Sequence, residues 1–236
     1  LTKADLMMLE IVSGSNWKRP IYAAITVGPE NLSCFSDYFI MEGLAKRITP
    51  FSTKQTEKLI DTDKMYDNIM HKFKFGNVAN PKVYLDENIM RMCNAHRRIM
   101  ISLASELFNE GKKKKAKEVL DYSLKVLPEN QVPLDYVMNQ ASDMAAIYYE
   151  LGDKKTSEHL LKSMFDNSFQ YARFYLSMND KNLRICAEDC MMHMTIMNKI
   201  LKQMEMQKST LTSKCSAQFE SLYGAYNSRS NTLTNY

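Results

Sequence analysis

The chain has 236 residues, of which 45% are hydrophobic and 25% charged, and its formal net charge is +4. This composition is typical of one or two globular domains, and the charge is too mild to indicate nucleic-acid binding. No stretch approaches the roughly 18 consecutive apolar residues of a membrane-spanning helix, and the odd number of cysteines, five, indicates no disulfide framework. Because the sequence starts at Leu1 and not at Met, we expect a piece of a longer protein.

The first part of the chain, residues 1–54, predicts a small αβ element. Apolar residues recur at helical spacing up to the break at residues 13–15. The segment 21–27 is short, apolar and partly β-branched, which predicts a strand. A short helix around residues 35–42 and a second extended piece ending at Pro50 follow. Two strands are marginally stable alone, so we expect helices to cover one face of the pair.

From about residue 55 the apolar residues recur at helical spacing, and we predict one helical domain over residues 55–236. Asp61 and Asp63 precede one such stripe, and we interpret them as helix-capping residues. A cation-binding loop would need further ligands and a glycine at set spacing. A long helix is predicted from about Asp86 to Asn109 and is ended by Gly111.

The strongest pattern in the sequence is a duplicated plan of helix, glycine turn and helix. Gly111 aligns with Gly152, and Ala104 and Ala145 each lie seven positions before one of these glycines. Small residues are needed where paired helices cross closely, whereas the larger Tyr148 can fill the space between copies. Two such copies predict stacked helical hairpins.

The duplicated plan resembles the tetratricopeptide family, whose repeat of about 34 residues is a helical hairpin. The first copy, residues 97–130, keeps the family's small residues, turn glycine and closing proline as Ala104, Gly111, Ala116 and Pro128. The second copy, residues 138–171, keeps the small, aromatic and turn positions as Ala145, Tyr148 and Gly152, and departs from the pattern at Ser157. The copies are roughly 41 residues apart, so about seven extra residues separate them.

The tetratricopeptide resemblance implies a binding groove on the inner face of each first helix. The candidate groove residues are Arg98, Ser105, Asn139, Ser142 and Tyr149, and the partner implied is a protein or peptide. The alternative is that neighbouring helices fill the groove, because only two copies match the pattern well.

Two further helices within residues 182–227 are predicted to close the stack by covering its last apolar face. Cys186, Cys190 and His193 share one helix face at i, i+4 and i+7 spacing. A metal site would need a fourth ligand and supporting hydrogen bonds. Because both cysteines lie on the apolar stripe, we interpret them as buried thiols and expect neither a metal nor a cofactor.

Four longer segments carry a more specific resemblance. In chain order they read NWKRPIYAAIT, DYFIMEGLAKRITP, DTDKMYDNIMHKFKFGN and VYLDENIMRM. They resemble the soluble C-terminal tail of bacterial membrane glycosyltransferases similar to the protein O-mannosyltransferases. The resemblance implies that the membrane spans and the catalytic carboxylate belong to a preceding part of the parent, so no residue here is catalytic. It also implies a location on the periplasmic side of the inner membrane, beside the membrane-spanning part of the parent and without insertion of this segment itself.

The motif that starts at Trp17 leaves two interpretations open. An arginine beside an aromatic ring can stack on it or clamp a phosphate or carboxylate, which makes Trp17, Lys18, Arg19 and Tyr22 candidate binding residues. Trp17 can equally be a core anchor that packs the αβ element on the helices.

The sequence contains no P-loop, dinucleotide fingerprint, metalloprotease helix motif or nucleophile elbow. The glycosyltransferase resemblance and the duplicated hairpin together imply the first hypothesis, a noncatalytic interaction domain that holds acceptor protein or organises a glycosyltransferase complex. The second is a purely structural or dimerisation domain that uses the Met-rich terminal helices. The third is a sugar-binding or hydrolytic role at the αβ element.

Overall fold

The structure, a computed structural model, describes residues 2–54 and 59–233. The described chain is mainly α-helical with one small sheet near its start, as predicted. It forms two compact units, Leu1–Pro128 and Glu129–Tyr236. The boundary expected between residues 54 and 55 adjoins residues 55–58, which lie outside the described part.

Helix α1 (Lys3–Ser15) begins at a reciprocal cap between Thr2 and Asp5. The Thr2 hydroxyl accepts from the Asp5 amide at 3.2 Å, and the Asp5 carboxylate accepts from the Thr2 amide at 2.7 Å. Such a capping box satisfies two amides that the helix leaves without partners. The helix ends at Asn16, whose backbone is left-handed with φ of 46°.

Three short strands form the sheet of the first unit: β1 (Tyr22–Ala24), β2 (Phe39–Met41) and β3 (Ala45–Ile48). They pair antiparallel in the order β1-β3-β2. The sequence predicted two strands here, and this prediction was wrong because the sheet has three. Residues expected to be helical at 39–41 are extended instead, because the turn that contains Gly43, with φ of 137°, folds them back along β3.

The remaining part of the sheet region also differs from the prediction. The first strand is shorter than the expected segment 21–27, because the backbone turns after Ala24, where the Val27 amide bonds the Ala24 carbonyl at 3.0 Å. A 3₁₀ helix, Pro29–Tyr38, then leads into β2. The apolar core of this region consists of Ala23, Leu32, Phe35, Phe39 and Ile48.

The helices of the first unit are α2 (Thr62–Asp67), continued by a π-helical turn at Asn68–Lys72, then α3 (Glu87–Asn109) and α4 (Lys113–Val126). The predicted capping role is confirmed for Asp61 but was wrong for Asp63, which lies in the first turn of α2 and pairs with Lys112 at 3.1 Å. The Asp61 side chain accepts from the Lys64 amide at 3.2 Å. The Asp86 side chain accepts from the Ile89 amide at 2.8 Å.

Helices α3 and α4 form a hairpin closed at Gly111, as predicted. Gly111 has φ of +77°, a conformation that costs an L side chain free energy. The Lys112 amide bonds the Leu107 carbonyl at 2.8 Å and the Gly111 amide bonds the Phe108 carbonyl at 2.9 Å. These two bonds define a Schellman motif, which satisfies carbonyls at the end of α3.

The second unit contains α5 (Ala141–Glu150), α6 (Lys154–Ser177), α7 (Asp180–Ile185), α8 (Ala187–Met206) and α9 (Thr212–Leu233). Gly152, with φ of +85°, closes α5 and α6 with the same pair of hydrogen bonds. Helix α6 packs against α5, α8 and α9. The predicted closing helix from residue 182 is interrupted at Cys186, which caps α8.

A third hairpin uses the same closure without glycine. Lys208 follows α8 with φ of 54°. The Ser209 amide bonds the Met204 carbonyl at 2.9 Å and the Lys208 amide bonds the Glu205 carbonyl at 3.0 Å. Helices α8 and α9 are therefore joined by a Schellman motif that the sequence does not reveal, because its key residue is a lysine.

The small residues predicted at the helix crossings are fully buried. They are Ala104 and Ala116 in the first unit and Ala145 and Ser157 in the second. The hydroxyl of Ser157 lies 2.6 Å from the Ala145 carbonyl oxygen, so its buried polar atom is satisfied. Tyr148 is also fully buried, and Pro128 follows the end of α4.

No helix within residues 2–54 and 59–233 is both long and apolar enough to cross a membrane.

Candidate functional site

A cavity of about 450 Å³ opens in the second unit between α5, α8 and the loop that precedes α5. From α5 it is lined by Ser142, Asp143, Ala146, Tyr149 and Glu150. From the loop and from the end of α8 it is lined by Tyr136, Lys199, Gln203, Met206 and Gln207. We call this cavity the α5–α8 groove.

Two tyrosines of the α5–α8 groove each carry a lysine over the ring. The Lys199 ammonium lies 5.6 Å from the centre of Tyr136, and the Lys154 ammonium lies 5.5 Å from the centre of Tyr149. These cation–π contacts hold long side chains in place. The groove therefore presents aromatic faces and cations together at its surface.

One hydrogen bond links the two walls of the groove. The Gln203 side-chain amide donates to the Ser142 backbone carbonyl at 3.0 Å. Met206, which is 75% exposed, also lines the groove, and Asp143 and Glu150 are exposed on α5. An adaptable thioether beside polar groups and aromatic faces suits a peptide whose backbone and side chains both need partners.

The structure brings together two of the five predicted groove residues. Ser142 and Tyr149 line the α5–α8 groove. Arg98 is exposed and Ser105 half-buried on α3, and neither lines a cavity described here. The placement of Asn139 on a helix face was wrong.

Asn139 precedes α5 and is fully buried. Its side-chain amide donates to the Pro133 carbonyl at 3.0 Å, and its side-chain oxygen accepts from the Asp135 amide at 3.1 Å. The Asp135 carboxylate in turn accepts from the amides of Val137 and Met138. The extra residues between the two hairpins thus form a hydrogen-bonded loop, and Asn139 fixes its shape.

Sequence reasoning missed the α8 wall of the groove, Lys199 and Gln203 in particular. The apolar stripe on which the sequence placed Cys190 continues along α8 through Met194, Met197 and Leu201, which are buried. Lys199 and Gln203 lie off this stripe, and that position could have indicated their role. Residues of a helix that face away from the core can line a groove at the surface. Tyr136 could not be placed, since it lies in the loop whose conformation depends on Asn139.

A second cavity of about 430 Å³ in the same unit is lined mainly by polar and charged residues, Glu129 among them. The Glu129 carboxylate contacts His159 Nε2 at 2.8 Å and accepts from the Ser163 hydroxyl at 2.9 Å. In a nucleophilic triad the histidine contacts the serine and the carboxylate contacts the histidine. Here the carboxylate lies between the other two, so this cluster does not have the geometry of a triad.

The predicted N-terminal motif is exposed and does not form one site. Trp17 is 44% exposed, so its interpretation as a core anchor was wrong. Lys18 and Arg19 are exposed beside it. Tyr22 instead belongs to a cluster around a buried carboxylate, Glu42.

Glu42 is buried, and three side chains bond its carboxylate. The Tyr22 hydroxyl donates at 2.8 Å, Arg47 Nε at 2.5 Å and Lys64 Nζ at 2.6 Å. Burial alone raises the pKa of Glu42, but the bonds from Lys64, Arg47 and Tyr22 together outweigh it and hold the pKa below its usual value. The cluster joins β1, β3 and α2 and leaves no carboxylate oxygen free for a ligand.

The αβ element also contains an apolar cavity of about 360 Å³. Its lining includes Leu32, Phe39, Met41, Leu59 and Ile60, and Lys46 is the only charged residue among the described residues that line it. A sugar site needs several convergent hydrogen-bonding groups, and this lining offers few. The geometry therefore gives little support to the sugar-binding hypothesis at this place.

The cysteines of the second unit do not converge with His193 on a metal site. Cys190 is fully buried, and burial raises the pKa of its thiol. His193 is buried against Tyr171, with ring centres 4.7 Å apart, and burial lowers its pKa. Within the residues that the structure describes, no three His, Cys, Asp or Glu side chains are grouped to hold a metal ion.

The fold and these surfaces describe a helical-hairpin protein with an N-terminal αβ element and a groove on its second unit. Residues 1–67 match the family model described as TMEM260-associated domain 2, a family linked to a membrane-protein parent. The match covers the αβ element and extends to the end of α2. No curated protein matches the chain, and no solved structure matches it.

Proposed function

We propose that this chain is a noncatalytic protein-interaction domain, the periplasmic tail of a membrane glycosyltransferase, and that it holds a segment of acceptor protein in the α5–α8 groove. The observation that carries the proposal is the groove itself, where Ser142, Ala146 and Tyr149 of α5 face Lys199 and Gln203 of α8. The tetratricopeptide resemblance implied peptide binding at two of these positions. The match of residues 1–67 to a family linked to a membrane protein supports a membrane-anchored parent.

The groove offers contacts of the kinds that bind a peptide. Exposed carboxylates on α5, Asp143 and Glu150, can pair with basic side chains, and Tyr149 offers an aromatic face. Gln203 and Gln207 provide amide groups for a peptide backbone. None of these groups forms an acid–base pair, so the groove can position a partner without reacting with it.

The proposal is tested by acceptor kinetics of the parent enzyme with Ala146→Arg, which fills the groove, and with Tyr149→Ala. A positioning surface remote from the reacting atoms adds binding energy to acceptor and transition state alike, so its loss raises KM and leaves kcat unchanged. We expect KM for the protein acceptor to rise roughly tenfold, the effect of losing about 1.4 kcal/mol. Transfer to a short peptide too small to reach the groove serves as the internal control.

Two results would contradict this role. Unchanged KM for the protein acceptor in both variants would show that the groove does not hold it. A fall in kcat with the short peptide would place Tyr149 near the chemistry. Lys181→Ala, on the exposed face of α7, is the matched surface control and is expected to change neither parameter.

A structural role through self-association is the second candidate. It is favoured by exposed apolar side chains on two helices of the second unit, Tyr171 and Phe174 on α6 and Met191 and Met192 on α8. Light scattering separates the two functions, since a dimerisation domain gives twice the monomer mass. A dimer that dissociates in Phe174→Ser would support this alternative, and a monomer would exclude it.

A further inference from the structure

The polar cavity of about 430 Å³ in the second unit lies between one face of α6 and the loop that precedes α5. Residues of α6 that recur at helical spacing, from His159 to Gln170, form one wall. The loop forms the other wall, beginning at Glu129. Small-molecule sites have volumes of about 300–1,000 Å³, and this cavity lies within that range. We call it the loop–α6 cavity.

Hydrogen bonds fix both walls of the loop–α6 cavity. The Glu129 carboxylate joins the loop to α6, because it contacts His159 Nε2 at 2.8 Å and accepts from the Ser163 hydroxyl at 2.9 Å. The buried Asn139 side chain bonds the backbone of the same loop at Pro133 and Asp135. A cavity whose walls are already ordered costs a ligand little conformational entropy on binding.

Three primary amides line this cavity without using their hydrogen-bonding groups on the protein. Asn167 is half-buried, and Asn130 and Gln170 are exposed. None of the three side chains forms a hydrogen bond with the residues that the structure describes. A primary amide offers two donors and one acceptor, so donors and acceptors are available together for a ligand.

The charges of the lining are matched within the protein. The Lys162 ammonium bonds both carboxylate oxygens of Asp166, and Glu129 contacts His159. Neither carboxylate therefore requires a cationic ligand, and the two together repel an anion.

The apolar part of the lining is small. Of the described residues that line the loop–α6 cavity, only Pro133 and Leu134 are apolar, so an apolar ligand would lose more hydration of polar groups than it gains in contacts. The lining instead suits a neutral ligand with several hydroxyl groups.

The hydroxyl groups of a sugar both donate and accept hydrogen bonds, as the amides and carboxylates of this lining require. We propose that the loop–α6 cavity binds a neutral hexose unit, with its hydroxyl groups bonded by the side-chain amides of Asn167 and Gln170 and by the carboxylate of Glu129. The cavity has a lining different from that of the α5–α8 groove, and the inference does not depend on the proposed protein-binding role.

Two-dimensional NMR of the isotope-labelled chain tests the site, with methyl α-glucoside, methyl α-mannoside and methyl α-galactoside as probes. We expect at least one hexoside to shift the backbone amide signals of Asn130, Ser163 and Asn167 in a saturable manner. No saturable shift with any of the three, or shifts confined to residues outside the loop–α6 cavity, would overturn the proposal.

Two further sets of probes define the ligand class. Putrescine and inorganic phosphate are charged, and tighter binding of either than of every hexoside would assign the cavity to an ionic ligand and overturn the proposal. A serine peptide that carries the bound hexose separates two sources of the sugar. Tighter binding of this peptide than of the methyl hexoside indicates a protein-linked sugar, equal binding indicates the sugar alone, and either result supports the site.

The amides are tested with Asn167→Ala and Gln170→Ala. We expect the dissociation constant of the hexoside to rise roughly tenfold in the first variant and roughly threefold in the second, which alters an exposed position and should leave the fold intact. Asn198→Ala makes the same change at an exposed position of α8 and should leave the constant unchanged. Circular dichroism confirms that each variant is folded. A constant that neither Asn167→Ala nor Gln170→Ala changes would overturn the proposal.

Discussion

The guanidinium of Arg97 donates a hydrogen bond to the backbone carbonyl of Leu127, 30 residues later in the chain. Arg97 is wholly buried in α3, and Leu127 is the C-cap of α4. The last carbonyls of a helix have no intrahelical donor. Arg97 therefore supplies a hydrogen-bond donor to the C-terminal end of α4. This bond links α3 and α4 at the end of the hairpin opposite the Gly111 turn.

Replacement of Arg97 by Met should destabilise the chain by about 2–3 kcal/mol, because it leaves a buried carbonyl without this donor. The neighbouring Arg98 is exposed on the same helix, so Arg98→Met is a matched control that should cost no more than about 0.5 kcal/mol. Urea denaturation followed by circular dichroism measures both. Equal free energies of unfolding for the two variants would mean that the Arg97 bond contributes nothing.

At the three Schellman turns, replacing a glycine should destabilise the chain, and introducing a glycine should stabilise it. Gly111→Ala and Gly152→Ala force an L side chain into positive φ, at a cost of about 1 kcal/mol each. A Cβ at either glycine meets no other atom, so the cost is conformational and not steric. Lys208→Gly should stabilise the chain by up to about 1 kcal/mol, because Lys208 already has φ of 54°.

Thermal melts of these three variants are compared with Gly224→Ala. Gly224 lies within α9 and a Cβ there meets nothing, so alanine should stabilise this helix by roughly 0.5–1 kcal/mol. A destabilised Lys208→Gly variant would show that the third turn does not have the geometry described.

Acid should weaken the first unit through Glu42. The pKa of Glu42 is held below its usual value, so the unfolded chain takes up the proton first as the pH falls. Its contribution to stability is present above the unfolded pKa of about 4.3 and is lost as the pH falls towards the folded pKa. Glu42→Gln should lower the stability at neutral pH by about 2 kcal/mol and flatten this acid dependence. If the Glu42→Gln variant loses as much stability at low pH as the unchanged chain, other carboxylates cause the acid dependence.

The second unit should be sensitive to mild acid through His193. Burial lowers the pKa of this imidazole, and the carboxylates of Asp135 and Asp189 oppose the effect without reversing it. Because the folded pKa is depressed, the contribution is complete above the unfolded pKa of about 6.5 and is lost as the pH falls below it.

The matched variant is His193→Phe, which keeps a ring against Tyr171 and cannot titrate. Melting at about pH 7.5 and about pH 5 should show a smaller decrease for this variant than for the unchanged chain. An equal decrease in melting temperature for the variant and the unchanged chain would show that His193 does not cause the acid sensitivity.

The hairpins were predictable from sequence because glycine at positive φ and small residues at a helix crossing are local requirements. Gly111, Gly152, Ala104 and Ala145 all occupy the predicted places. The α8–α9 turn was not predictable, since Lys208 adopts a conformation that sequence statistics assign to glycine. Tertiary packing, not local preference, determines that turn.

Only some of the residues that line the α5–α8 groove could be predicted from the sequence, because the others depend on tertiary packing. Ser142 and Tyr149 follow from helical periodicity along α5. Lys199, Gln203 and Tyr136 come from a distant helix and from a loop, and only the fold brings them to the same groove. Asn139 was predicted to lie on a face of α5. Its side chain instead bonds the Asp135 amide and the Pro133 carbonyl of the preceding loop, and α5 begins at Ala141.

Site-specific photo-crosslinking from a residue that lines the α5–α8 groove tests the protein-binding proposal most directly. A photoreactive amino acid is placed at position 146 of the parent protein in cells, with position 181 on the exposed face of α7 as the control. We expect position 146, and not position 181, to be joined to proteins that the parent enzyme glycosylates, whether or not the trapped copies already carry the sugar. Adducts from both positions in equal yield, or adducts at position 146 only with proteins that the parent never glycosylates, would contradict the proposed role.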